Sequence, residues 1–434
     1  MRPVLLCCAI VFCCCGSGRA AAIEGDALAD EGAFKAMPEP GEQPDWRLGG
    51  FAESRNEFAV HDMERPVSLQ QRMQLEFQWK KDVFGFFGSL EGIHEGAVAT
   101  WAGNHSPWRG GVREVYVTYD TERFDVFLGR KIHRWGTGDG INPMDIINPV
   151  DTRDPFSSGR ADNRVPAWMV SATLAGDGVS LEGIFLPQAA VARLPEKGEP
   201  WEPAALRDLR ERRDSGHFSL DTSGRPHEWF ENMEYGGRLN AALWGWDVSL
   251  MAFRGYLDTP VFQLEAGAKP EVGLVYPMFT AFGAAFAKGF GKQSVRGEMA
   301  CKPAYPVQDD AGFIRTDLWQ GVLGWDYDMD SRYYLNVQYF VDYYQRSTSA
   351  TSTAYHGAAY EISGKWLRDA LKTGVRGKVY GSGDGALTEL FLEYELDDHW
   401  KFFTGIMWWA GGEDTILGEY RKNNFFYATV RFSF

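Results

Sequence analysis

The residues whose types and spacing could do chemistry crowd into one stretch, Leu128 to Phe156, reading LGRKIHRWGTGDGINPMDIINPVDTRDPF. Within it, Asn142-Pro143-x-Asp145 and Asn148-Pro149-x-Asp151 form a near-duplicate six residues apart. Proline fixes φ and pushes the residue before it away from helix, and Asx side chains cap the following turn, so each unit is expected to be a rigid turn. Two rigid turns in series suit a loop that folds to a defined place. Around them stand Arg130, Lys131, His133, Arg134, Trp135, Asp139, Arg153 and Asp154, a set of both charge signs. Other chemistries find less support. Gly136-x-Gly138-x-Gly140 lacks the spacing of a dinucleotide-binding loop and reads as a turn. Asp139, Asp145 and Asp151 offer oxygen ligands but miss the EF-hand pattern, so an Asx turn is favoured over a Ca²⁺ site. For lipid hydrolysis or acyl transfer the candidates are His94, His105 and His356 with Ser157 and Ser158, yet no nucleophile motif surrounds them. No metal or cofactor is expected.

The elements that must position this stretch follow from compartment and period. Arg2 precedes an apolar run from Val4 to Cys15, and Ala20 to Ala22 supply an A-x-A site, so residues 1–22 read as a secretory signal peptide. Its apolar core falls short of the roughly 20 residues a spanning helix needs. Five of the six cysteines lie in that signal, leaving Cys301, so neither an internal disulfide nor a multi-cysteine metal site can form. Without Arg2 and Arg19 the chain carries 42 basic and 59 acidic residues, a formal charge of −17, and nucleic acid is excluded as a partner. Aromatic content is 15% while mean hydropathy is −0.32, too polar for helical spans and rich in ring side chains.

Alternation with a period of two recurs along the chain. Phe426, Ala428, Val430, Phe432 and Phe434 face Tyr427, Thr429, Arg431 and Ser433, and Met73, Leu75, Phe77 and Trp79 alternate with Arg72, Gln74, Glu76 and Gln78. The same pattern marks 115–120, 333–344 and 389–397. These segments run about ten residues, the length a tilted strand needs to cross a bilayer. Aromatics gather at strand ends, at Tyr343, Tyr344, Trp400, Trp408 and Trp409, where an interfacial girdle would lie. The expectation is an all-β fold, a transmembrane antiparallel up-and-down β-barrel of about 18 strands (14 to 18), with an inward-folded loop. The candidate strands number eighteen and include a single strand over 273–287; residues 23–46 form a periplasmic lead and 47–434 the barrel. Tight turns near Tyr119 to Arg123, Ala175 to Gly178, Trp244 to Trp246 and Asp397 to His399 fall on the periplasmic side. The connections 134–166 and 188–232 fall opposite, with one short charged helix at Ala204 to Arg213.

Gly129-Arg130, Trp135-Gly136 and the Asn-Pro-x-Asp pair resemble an uncharacterised family of Gram-negative outer-membrane barrels, distantly similar to alginate-export channels. The resemblance implies an outer-membrane barrel and a solute-conducting role without fixing a substrate, because alginate exporters share a strongly basic pore and this interior reads as mixed. Parity places Asp125, Lys131 and His133 on one strand face, with Arg130 and Arg134 on the other beside Phe124, Val126 and Leu128. A charge facing lipid at midplane costs about 2 to 4 kcal/mol. Either Gly129 hosts a bulge that turns Arg130 inward, or Arg130 and Arg134 have already passed the interface. The candidates for pore lining and constriction are Arg130, Lys131, His133, Arg134, Trp135, Asp139, Asn142, Asp145, Asn148, Asp151, Arg153 and Asp154. Glu389, Glu393 and Arg431 lie deeper on the wall. The competing structural reading is that these charges only pair with one another to satisfy a polar lumen. The function expected is a non-enzymatic, porin-like channel in the bacterial outer membrane for small or oligomeric solutes. Its partners would be outer-membrane lipid and the insertion machinery that reads Phe434. A lipid-modifying enzyme barrel and an adhesin or scaffold barrel are the alternatives.

Overall fold

The computed structural model describes residues 45–101, 105–136, 140–155, 163–265, 271–309, 312–346, 352–381 and 383–434. The expected signal peptide and nearly all of the lead lie outside the described residues. Alternation becomes strand from Trp46 onward: β1 (Trp46–Ala59), β2 (Asp62–Lys81), β3 (Phe84–Glu95), β4 (Trp108–Asp120), β5 (Phe124–Lys131), β6 (Ala167–Gly176) and β7 (Val179–Leu186). Helix α1 (Ala204–Asp214) and β8 (Ser219–Asp221) follow, then β9 (Glu234–Leu243), β10 (Trp246–Tyr256), β11 (Val261–Glu265), β12 (Glu271–Val275), β13 (Met278–Phe290) and β14 (Gln293–Asp309). The remainder are β15 (Gly312–Met329), β16 (Tyr333–Tyr344), β17 (Thr353–Trp366), β18 (Leu371–Tyr380), β19 (Ala386–Glu395), β20 (Trp400–Ala410) and β21 (Phe425–Ser433).

All except β8, β11 and β12 form one 18-stranded sheet in which each strand pairs with its neighbours along the chain. β1 also pairs antiparallel with β21, from Phe51 opposite Ser433 to Ala59 opposite Phe425, so the sheet closes into a barrel. Closure leaves no edge, which is the condition hydrocarbon imposes on backbone N–H and C=O groups. No helix among the described residues is long and apolar enough to cross a membrane.

The distribution of side chains separates a membrane barrel from a water-soluble one. On β2, Met73, Leu75 and Phe77 point outward and exposed, while Gln70, Arg72, Gln74 and Glu76 are buried inside; on β1, Glu53, Arg55 and Glu57 are buried likewise. A soluble sheet would bury the apolar face, whereas here the apolar face is outermost and the charges are within. Eight connections of two to four residues lie at one rim, the four expected tight turns among them. In Trp244-Gly245 both residues have positive φ, 54° and 76°, the geometry of a two-residue hairpin turn. The opposite rim carries the long connections 132–166, 187–233 and 257–277. β11 and β12 pair antiparallel and β12 pairs parallel with β8, making a small sheet from the last two connections.

Several boundaries differ from the sequence reading. The expected strand over 273–287 is broken: residues through Val275 join the small sheet, and the barrel strand begins at Met278. Pro277, without an N–H and with fixed φ, lies at the break. β5 ends at Lys131, so His133 and Arg134 belong to the loop. Of the expected girdle, Tyr343, Trp400 and Trp408 are exposed, but Tyr344 and Trp409 are buried inside the barrel. Adjacent residues on a strand face opposite ways, so one of each aromatic pair had to turn inward.

Part of the inner wall is apolar. Phe127, Met169, Ile184, Leu186, Met251, Phe253 and Phe279, from β5, β6, β7, β10 and β13, form a buried cluster with Trp135, Met144 and Ile147 of the connection 132–166. Burying these residues, at roughly 1.5 to 3 kcal/mol per large apolar side chain, holds the connection inside the barrel.

Candidate functional site

The loop 132–166 is fastened at its root by Asn148, which is wholly buried. Its Oδ1 accepts from the His133 amide at 2.7 Å, and its Nδ2 donates to the carbonyls of Lys131 at 3.1 Å and Val165 at 2.9 Å. One side chain thus ties both ends of the loop to its middle. Asp145, in the first Asn-Pro-x-Asp turn, accepts through Oδ2 from Arg134 Nε at 2.8 Å, from a second Arg134 nitrogen, and from Arg164 Nη2 at 2.7 Å. The Met144 amide approaches Glu298 Oε2 of β14 at 3.4 Å. On the other side, Arg55 of β1 donates to Asp154 Oδ1 at 2.6 Å and Gln70 of β2 donates to its Oδ2 at 3.2 Å. The loop therefore reaches from its root at β5 to β14 in one direction and to β1 and β2 in the other.

The rest of the set falls into place around this span. His133 Nε2 lies 2.5 Å from Glu182 Oε1, and Trp135, wholly buried, donates from Nε1 to Glu182 Oε2 at 3.0 Å. Arg238 of β9 completes that group at 2.9 Å from Glu182. Lys131 points inward, its Nζ 4.6 Å from the Tyr116 ring centre and 4.5 Å from that of Phe127. Arg153 donates to Asp151 through Nε at 2.8 Å, and Arg193 stands 3.4 Å from the same carboxylate. Burial alone would push the Asp151 carboxyl up; the Arg153 hydrogen bond and the charges of Arg153, Arg193 and Arg109 outweigh it and hold the group below its ordinary range. Asn142 lines a cavity beside Asp145. Asp139, Ser157 and Ser158 lie outside the described residues.

One residue is not where a lumen lining would have it. Arg130 is on the outer face of β5, opposite the outward Val115 and Trp168, and donates to the Val112 carbonyl at 2.9 Å. The register through Gly129 is unbroken, so no bulge turns Arg130 inward; it lies one residue from the end of β5, at the loop rim. Gly129 has another role: its φ is +151°, and a Cβ there would meet the Val115 carbonyl oxygen at 2.2 Å. Glu389, Glu393 and Arg431 do face inward but form a separate group. Glu389 accepts from Arg376 Nε at 2.5 Å and from Tyr427 at 2.6 Å, Arg376 is 3.9 Å from Glu393, and Arg431 donates to Glu53 at 2.7 Å. The three histidines considered for hydrolysis are scattered. His94 packs against Trp108 with ring centres 4.5 Å apart and planes tilted by 53°, His105 lies 3.2 Å from Glu196, and His356 is 6.0 Å from the Tyr339 ring.

Sequence reasoning passed over the partners: Arg55, Gln70, Glu182, Arg238, Glu298 and Arg376, all on strand faces, and Arg164 in the loop itself. The alternation of β1 offered Arg55 as an inward residue. Nothing local joined it to Asp154, 99 positions away.

A second connection also turns over the barrel. Trp201, from 187–233, is buried against Trp409, Tyr420 and Phe425 at ring distances of 5.3, 5.9 and 6.0 Å. Asn423 donates to the Pro200 carbonyl at 2.5 Å, and the Ala204 amide donates to Glu419 Oε2 at 2.9 Å. The connection leaves from β7 and returns to β9, so these contacts carry it across to β20 and β21.

Comparison with curated proteins finds no match. Among solved structures, OccAB4 of Acinetobacter baumannii is similar over 90% of this chain and 97% of its own, with a TM-score of 0.53 at 8% identity, and shares the barrel fold. The outer membrane channel DcaP of Acinetobacter baumannii covers the same shares at TM-score 0.44 and 8% identity. OmpF of Salmonella typhi, in complex with daunomycin, matches at TM-score 0.43 and 9% identity over 90% of this chain and 97% of that one. A family model described as "Protein of unknown function (DUF1302)" matches residues 27–434, and the chain belongs to that family.

Proposed function

We propose that the protein is a passive channel of the bacterial outer membrane whose passage is narrowed by the loop 132–166. The observation that supports this reading most directly is the loop's placement inside a closed barrel, fastened to β1 and β2 through Asp154 and abutting β14 through Met144. An apolar exterior suits lipid, and an interior lined with paired charges suits a polar solute. Both charge signs occur around the loop, at Arg55, Lys131 and Arg164 against Asp145, Asp151 and Asp154, so small or oligomeric polar solutes are the class that fits. In this reading Lys131, His133, Arg134, Trp135, Asn142, Asp145, Asn148, Asp151, Arg153 and Asp154 form the constriction. Glu389, Glu393 and Arg431 line the lumen deeper. Outer-membrane lipid surrounds the barrel, and the aromatic final strand ending at Phe434 is the segment offered to the insertion machinery.

Single-channel recording in planar bilayers tests this. The unmodified protein should conduct, and Asp154→Ala, which removes the tether to Arg55 and Gln70, should raise conductance and its fluctuation. An inserted, folded barrel that passes no ions would overturn the reading.

A further inference from the structure

Through the middle of β10, β13, β14 and β15 the outer wall is apolar, and Leu250, Phe282, Met299 and Trp319 are all exposed on it. Towards the rim that carries the long connections this surface ends in two exposed arginines, Arg254 of β10 and Arg315 of β15. Arg254 lies four residues beyond Leu250, and Arg315 four residues before Trp319, even steps that keep both on the outer face. Both reach the start of β13. Arg254 Nη1 donates to Thr280 Oγ1 at 3.1 Å, while Arg315 Nη1 donates to the carbonyls of Met278 at 3.1 Å and Ala304 at 3.0 Å. Met278 and Thr280 are two positions apart on one strand, about 6.6 Å. Guanidinium groups from two strands are thus drawn to one place.

Each arginine engages the protein through Nη1 alone, and among the described residues its Nε and Nη2 meet no acceptor and it forms no ion pair. Asp317, two residues from Arg315 on the same face, has Oδ1 engaged by the Ala304 amide at 2.9 Å. Two cations against that carboxylate leave the patch attractive to an anion. Arginine forks suit phosphate, whose several oxygens accept from more than one donor at about 2.7 to 2.9 Å. An arginine that only snorkels from the apolar belt needs no second arginine beside it. The surface beneath selects the source of the phosphate: a free ion gains nothing from Phe282, Met299 and Trp319, whereas a lipid lays acyl chains on them.

We propose that Arg254 and Arg315 form a phosphate clamp on the outer surface of the barrel, holding the phosphorylated headgroup of an outer-leaflet lipid whose acyl chains lie on Phe282, Met299 and Trp319. The clamp goes beyond the channel reading, resting on its outer-membrane placement but not on conduction. Native mass spectrometry of the full chain in detergent, titrated with bisphosphorylated lipid A, with dephosphorylated lipid A and with inorganic phosphate, measures it. The phosphorylated lipid should bind most tightly, and inorganic phosphate should not displace it. Arg254→Gln and Arg315→Gln should each weaken its binding about fivefold, the contribution of one arginine near an anionic lipid surface. Arg254→Lys, which keeps the charge, should restore part of that loss. Lys288→Gln, which removes a cation hydrogen-bonded to Trp244 at the tight-turn rim, should leave binding unchanged. Heat-dependent electrophoretic mobility verifies that each variant is a folded barrel. Equal binding of the two lipids, full competition by inorganic phosphate, an equal loss from Lys288→Gln, or parent-like binding by the folded double glutamine variant would overturn the clamp. None of these readouts involves ion conduction, so the clamp and the channel fail separately.

Discussion

Asp145 concentrates charge at the middle of the loop, since one carboxylate oxygen serves both Arg134 and Arg164 at a site where its own side chain is wholly buried. Asp145→Ala removes the buried carboxylate that the Arg134 and Arg164 guanidinium groups share, at about 3 to 5 kcal/mol. A matching fall in unfolding free energy in detergent is the expected result, checked by denaturant titration. Asp258 gives the loop region a pH dependence whose sign can be worked out. Burial raises its folded pKa from 3.8 to about 7, so between those values the folded state binds more protons than the unfolded one. Stability from this group therefore rises as pH falls from about 7 towards 4 and is lost as pH climbs back. Unfolding midpoints between pH 4 and 8 should show that slope, and Asp258→Asn should flatten it. At this scale the sequence revealed the turn-forming residues and hid their partners. Asn142, Asp145, Asn148 and Asp151 announce themselves by a local repeat, while Glu182, Glu298 and Asp258 reach the site only because strands distant in sequence curl around it. Arg130 shows the limit of parity without register: both outcomes suited the alternation, and the unbroken pairing with Val115 decided between them.

Strands and turns were legible because their period is short and repeats many times, and the helix at 204–214 because it is charged and follows Pro203. The break at Pro277 was harder to see, since apolar residues continue across it and only the partner sheet separates the two halves. Lengths were also hidden: β2, β14 and β15 run to 20, 17 and 18 residues, about twice what a bilayer requires. Such strands stand beyond the membrane as wall and give long connections something to lean on. The connection 187–233 leans chiefly through Trp201, and truncating a buried Trp costs about 3 to 5 kcal/mol. Trp201→Ala should leave the barrel folded and free this connection, seen as faster trypsin cleavage between Arg207 and Arg213 with unchanged heat-dependent mobility. Equal protection of variant and parent would mean the connection is held elsewhere.

Barrel closure governs the molecule as a whole, and the lipid face offers its plainest test. Leu390, mid-strand on β19 and outward, is 54% exposed; Leu390→Arg should destabilise the protein by about 2 to 4 kcal/mol in vesicles. Unfolding titrations in lipid would read this, and an effect near zero would place β19 outside the hydrocarbon. Even parity, strand number and apolar exterior could all be read in advance from alternation, whereas how loops fill the interior depends on shape that no local pattern encodes. The seam between β1 and β21 has a kinetic corollary. Arg431 meets Glu53 across 378 positions of sequence, so this ladder joins the segments that lie farthest apart along the chain. Until they meet, two strand edges stay open to any other extended chain. Substitutions along that ladder should therefore slow assembly and promote clumping well before they lower the durability of barrels already shut.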